Sequence, residues 1–170
     1  MKVFFSFFFV NFIFFFCFFT IPGVLSAQST ADEIETLLNT GVVTYAQAAR
    51  FMLEASEKLV TASSQEAFQY AFERKWLPKK ASAGDSARLD GISLLFMRSF
   101  DLKGGIFYSM IRNPHYAYRE MVHRNAIQGR ADPAMKVSGE RLLFITGRIL
   151  SQQGDTAALA GEPVMGSGKK

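Results

Sequence analysis

The sequence predicts an all-α fold: about six helices in three helix–loop–helix repeats, preceded by an apolar segment and followed by a polar tail. Three observations predict it. Apolar residues recur at three- and four-residue spacing through most of 31–151. Three Ser/Thr-x-x-Glu/Gln sequences stand where such segments begin. Alternation at period two, which a half-buried strand requires, extends over no useful length.

Residues 1–27 read as a secretory signal peptide, or as an uncleaved anchor. Lys2 supplies a minimal basic start, and Val3 to Ile21 is apolar except for Ser6, Asn11 and Thr20. Pro22-Gly23 breaks the run, and small residues lead to Ala27, after which cleavage is expected. Nineteen apolar-rich residues also suffice to span a bilayer, which keeps the anchor open. Eleven of the 18 Phe lie between Phe4 and Phe19, so the aromatic content describes this segment rather than the domain. The single cysteine, Cys17, lies there too. A chain beginning at Gln28 would hold 143 residues, no cysteine and a net charge near +3. That excludes a disulfide framework, a thiolate metal site and a cysteine nucleophile. The signs are mixed along the chain, so no nucleic-acid partner is expected, while the mild basic bias suits anionic wall polymers or membrane surfaces.

The elements follow in order. Thr30-Ala-Asp-Glu33 is a capping box for a helix over about 31–39, with Ile34, Leu37 and Leu38 apolar. Thr44-Tyr-Ala-Gln47 opens a second helix to about Thr61, with Ala48, Met52, Ala55 and Leu59 on one face. Ser63-Ser-Gln-Glu66 opens a third over about 64–76, where Phe68, Phe72 and Trp76 form a stripe. The Pro, Gly and small residues of 77–87 make a loop. A helix over about 88–100 carries Leu89, Ile92 and Phe96. "DLKGG" breaks it, and Ile106 to Ile111 has room for a turn. Asn113-Pro114 is an N-cap followed by a first-turn proline for a helix to about Arg124. In the loop 125–137, Gly129 suits a positive φ and Asp132-Pro133 a turn. Ser138 caps a last helix to about Ser151, and 152–170 has too little periodic apolar content to pack, so it reads as a disordered tail. The domain is therefore placed at 28–151.

The second helices start near Thr44, Arg88 and Ser138, which are 44 and 50 residues apart, a period at which stacked helical units are found. Each opens similarly: "VTYAQAARFML", "ARLDGISLLFM", "VSGERLLFITG". The third unit resembles an S-layer homology repeat. Ala126-Ile127-Gln128-Gly129 matches that family's turn, Asp132-Pro133 its loop and Val137-Ser138 its helix start; "VTYAQAA" resembles the same start in the first unit. The whole chain is also similar to small secreted envelope proteins of spirochaetes that carry no assigned activity. The resemblance implies a three-repeat helical domain that anchors proteins to cell-wall polysaccharide or peptidoglycan. It does not carry over the family's charged pair: the motif Arg falls at Tyr45, Leu89 and Gly139, and the Glu at Gln47, Gly91 and Arg141.

Candidate binding residues cluster in "NPHYAYREMVHR". Arg119, Arg124 and Arg130 suit anionic groups, and Tyr116 or Tyr118 suits the faces of sugars. Trp76 is core or a ligand platform, since indole is apolar with one polar edge. His115, Arg119 and His123 share a helix face, but eight residues separate the histidines by about 12 Å along the axis, too far for one metal ion. No nucleophile elbow, phosphate loop or dinucleotide fingerprint is present, and Glu54 and Glu57 form an ordinary surface pair. The expectation is a non-catalytic envelope module without metal or cofactor. It would be exported to the periplasm or cell envelope and dock on peptidoglycan, a wall polymer or an envelope protein. The alternative is a periplasmic protein–protein adaptor that has lost glycan binding. In either case the membrane is met only through the N-terminal segment, if that segment is uncleaved.

Overall fold

The computed structural model describes residues 24–161, apart from Ala62 and Arg130. Most of the expected signal segment (1–23 of 1–27) and the end of the expected tail (162–170) lie outside them. Seven helices and no strands are present among the described residues: α1 (Val24–Leu38), α2 (Tyr45–Ala55), α3 (Ser64–Glu73), α4 (Leu89–Ser99), α5 (Ile106–Met110), α6 (Pro114–His123) and α7 (Gly139–Gly161). The chain divides into two compact units after Thr36, so α1 begins in the first and ends in the second.

The all-α expectation holds, with α5 as a seventh helix. Several boundaries differ from the sequence reading, each for a physical reason. α1 begins at Val24 and runs through Ala27, so Thr30 lies inside the helix and not at its start. No Gly or Pro interrupts 24–38, and a helix once nucleated propagates through such residues. The tail expected to be disordered from Gln152 is helical to Gly161. Two long-range bonds hold its start: Gln152 Nε2 donates to the Arg124 carbonyl (2.9 Å) and Gln153 Nε2 to the Phe100 carbonyl (3.0 Å).

Two helices stop earlier than their apolar spacing suggests, and neither stop uses glycine. α2 ends where Glu57 adopts φ 55°; Lys58 N–H donates to Leu53 O (2.9 Å) and Glu57 N–H to Glu54 O (3.0 Å), a Schellman closure. Leu59 still packs on the core, but from beyond the helix. α3 ends likewise at Lys75 (φ 59°), with Trp76 N–H on Ala71 O. Trp76 is thus the residue just past the cap and not the last of a helical stripe. α4 and α6 close the same way at Asp101 and Asn125, with Leu102 N–H on Met97 O and Ala126 N–H on Met121 O.

The starts follow the sequence more closely. Thr44 and Gln47 form both halves of a capping box. Ser63 caps Glu66 N–H, while the Glu66 carboxylate takes the Thr61 hydroxyl instead of closing the box. Asn113 and Ser138 accept from Tyr116 and Arg141 N–H. Each such cap contributes about 1 kcal/mol. Gly129 has φ 77°, and Asp132 turns the chain by accepting the Ala134 amide.

α2 packs against α3, α4 and α7, and α6 packs against α4 and α5. The residues before α2, α4 and α7 close a ring. Val43 N–H donates to Val137 O (2.9 Å), Val137 N–H to Ala87 O (3.0 Å) and Ala87 N–H to Val43 O (2.8 Å). All three are fully buried. Just outside the ring the first amide of each helix finds a carbonyl of another segment: Tyr45 on Asp85, Leu89 on Met135, Gly139 on Thr40. Helix N-termini leave such amides without helical partners, and here the three loops satisfy them mutually. Three residues past each helix start lie Ala48, Ile92 and Leu142, all with no exposed surface.

Candidate functional site

Two helix ends that close without glycine, those of α3 and α4, help to build a cleft in the second unit. A cleft of about 570 Å³ is lined by residues of three segments: Trp76 after α3; Met97, Arg98, Asp101, Leu102 and Lys103 at the end of α4; and Tyr108, Ser109 and Arg112 in and after α5. Gly104 belongs to its wall because only glycine fits there: a β-carbon would lie 2.4 Å from the Tyr108 ring.

Trp76 is half-buried, its ring edge-on to Tyr70 at 5.8 Å, with Arg74 stacked over Tyr70 at 3.4 Å. The indole is held from behind and faces the cleft. Tyr108 is 5% exposed, and its buried hydroxyl has no hydrogen-bond partner among the described residues. Burial pushes its pKa up, Arg98 and Arg112 pull it down, and Glu120 raises it. The phenol therefore stays protonated at neutral pH and offers an O–H donor.

The charge is one-sided. Arg98, Lys103 and Arg112 line the cleft against one carboxylate, Asp101, which pairs with Lys58. Arg98 also sits in the last turn of α4, where a cation favours the helix dipole. An aromatic platform beside three cations is a surface chemically suited to an anionic, ring-bearing ligand. No cluster of His, Cys, Asp and Glu able to hold a metal ion occurs among the described residues.

Of the residues expected from sequence, Trp76 alone lines this cleft. Tyr118 O–H donates to Ala131 O (2.8 Å) and pins the 125–137 loop. Tyr116 lies between the Phe107 ring (6.0 Å, 11°) and His115 (5.3 Å, 76°). Arg119 is exposed on α6. Arg124 is half-buried, with Nε enclosed and its carbonyl held by Gln152. Arg130 lies outside the described residues. Arg98, Lys103, Tyr108 and Arg112 escaped the sequence reading, which treated "DLKGG" as a break alone. The available signal was the alternation of Lys103, Tyr108 and Arg112 around two glycines, without a carboxylate between Asp101 and Glu120.

The positions at which the resemblance would place the S-layer homology Arg are structural here. Tyr45 is buried, its hydroxyl accepting the Arg88 amide (3.3 Å); Leu89 is fully buried; Gly139 abuts the Leu37 backbone. A smaller cleft of about 300 Å³ beside Gln128, Glu140 and Arg141 has its Arg148 committed to the Ala126 carbonyl (3.1 Å). Set against known proteins, the chain matches no family model, no curated protein and no solved structure.

Proposed function

We propose that the chain is a non-catalytic module of the cell envelope, built on three degenerate helix–loop–helix repeats, and that its cleft takes an anionic segment of a wall polysaccharide. The observation that carries this is the convergence of Trp76, Tyr108, Arg98, Lys103 and Arg112 on one cleft whose lone carboxylate is already paired. Sugar faces stack on indole, and carboxylate or phosphate groups of the polymer accept from guanidinium and ammonium groups. The cyclic bonding of Val43, Ala87 and Val137 supports the three-repeat reading, because the same position of each unit makes the same bond to the next. The apolar leader supports export.

Trp76 is the only tryptophan of the chain, so its emission reports on the cleft directly. The full chain should co-sediment with isolated sacculi at low salt. Soluble anionic wall fragments should shift Trp76 emission. Arg98→Ala with Arg112→Ala should weaken binding and flatten its salt dependence; Arg119→Ala with Arg124→Ala should not. Absence of co-sedimentation sinks the polysaccharide reading, and an effect of the second pair alone moves the site to α6.

A further inference from the structure

Helix α5 has two faces of different character. Tyr108 and Ser109 line the cleft, while Ile106, Phe107 and Met110, with Ile111 just after, are 77%, 67%, 78% and 50% exposed. Leu38, at 52%, Val60, at 79%, and Phe144, at 60%, are the other described large apolar side chains exposed to a similar extent, and each stands apart in sequence. Four apolar residues held in water within one short segment form a patch, and a patch of this kind marks a contact.

The surroundings select the partner. Lys103, Arg112 and Arg119 are exposed, and no carboxylate occurs between Asp101 and Glu120. Asp101 pairs with Lys58, and Glu120 reaches back towards Gly105, its Oε1 lying 2.9 Å from where a β-carbon there would be. The apolar segment is therefore flanked in sequence by exposed cations in excess. A second copy of the chain would set the same cations against one another. An anionic bilayer complements both features: apolar side chains enter the acyl boundary while ammonium and guanidinium groups meet phosphates. No described helix is long and apolar enough to cross a membrane, so the contact lies in the interface plane.

We propose that the Ile106–Ile111 face docks on an anionic phospholipid surface. The apolar residues of this contact are not those that line the polysaccharide cleft, although Lys103 and Arg112 belong to both, and the contact is separate from any hold by the N-terminal run.

Because Cys17 is the sole cysteine, a full chain with Cys17→Ser and Met110→Cys carries one polarity-sensitive label. A matched chain with Phe144→Cys is the control, and helical circular dichroism checks both folds. On phosphatidylglycerol-containing vesicles the label at 110 should shift to the blue and be quenched by acyl-chain nitroxides, while the label at 144 stays in water. On pure phosphatidylcholine the inserted-to-aqueous ratio should fall about tenfold or more, and Ile106→Asp should lower it about as much. A label at 110 that remains aqueous while the chain sediments with the vesicles overturns the proposal. Equal insertion on neutral vesicles overturns it as well. So does protection at 110 that rises with protein concentration and needs no lipid, which assigns the face to a second copy. Arg98→Ala should leave insertion at 110 unchanged even where it abolishes sacculus binding.

Discussion

The carbonyl oxygen of Leu37 lies 1.7 Å from where a β-carbon on Gly139 would be built, at the first residue of α7. The obstacle is backbone, which cannot rotate away as a side-chain tip can. Gly139 N–H meanwhile donates to Thr40 O, so the helix start is tied to the same turn that blocks it. Gly139→Ala should therefore cost about 1–3 kcal/mol. Gly147, exposed in the same helix with nothing within 4 Å of its would-be β-carbon, is the control. Gly147→Ala should gain about 0.5–1 kcal/mol. Urea unfolding of the two variants should move the midpoint in opposite directions.

Lys75 ends α3 at φ 59° and is exposed. A side chain in that region costs about 1–2 kcal/mol that glycine avoids, partly offset by the extra freedom of glycine in the unfolded chain. Lys75→Gly should stabilise by roughly 0.5–1 kcal/mol. Asn125→Gly should gain less, because asparagine tolerates this conformation better. Thermal melts that show a loss at Lys75 would mean the side chain has a role beyond the cap.

Val43, Ala87 and Val137 bond in a ring with no exposed surface. Each amide can open only if two other segments part. Their exchange with deuterium should be among the slowest in the chain and should share one opening free energy. Amides exchanging at three unrelated rates would show that the units open independently.

Burial raises the pKa of both Tyr45 and Tyr108; Arg98 and Arg112 offset this at Tyr108, and the Arg88 amide at Tyr45. A phenol with its folded pKa above the unfolded value of about 10 ionises first in the unfolded chain. Its contribution to stability is therefore intact below about pH 10 and is lost as pH rises through the folded pKa. Melts between about pH 8 and about pH 11 should fall at the alkaline end. Tyr108→Phe should flatten that fall without losing a hydrogen bond, since the hydroxyl has none among the described residues. Tyr45→Phe should flatten it too, but at the cost of the bond from Arg88. An unchanged slope in both variants would place the alkaline loss elsewhere.

The caps at Thr44, Ser63, Asn113 and Ser138 were legible because each is a bond within three residues. So were the positive φ at Gly129 and the turn at Asp132. Helix ends were less legible. Glu57, Lys75, Asp101 and Asn125 adopt a conformation that sequence reasoning assigns to glycine, and core packing of Leu59, Trp76, Leu102 and Ala126 just beyond them outweighs the local cost. Trp76 shows the consequence: its spacing placed it on a stripe with Phe68 and Phe72, whereas the closure at Lys75 swings it towards Tyr70 and the cleft.

By itself the sequence determined the helical class, the places where α2, α3, α4, α6 and α7 begin, and the basic, cysteine-free character of 28–170. These depend on periodicity, on short-range bonds and on composition, all of which are local. Only the tertiary structure decided that Val43, Ala87 and Val137 bond in a ring, or that Arg98, Lys103, Tyr108 and Arg112 meet Trp76 across a cleft. It also decided that one face of α5 stays in water. Those features join residues up to about a hundred positions apart. No local energy specifies such pairings; they are selected when the whole core closes and leaves each buried amide one available partner.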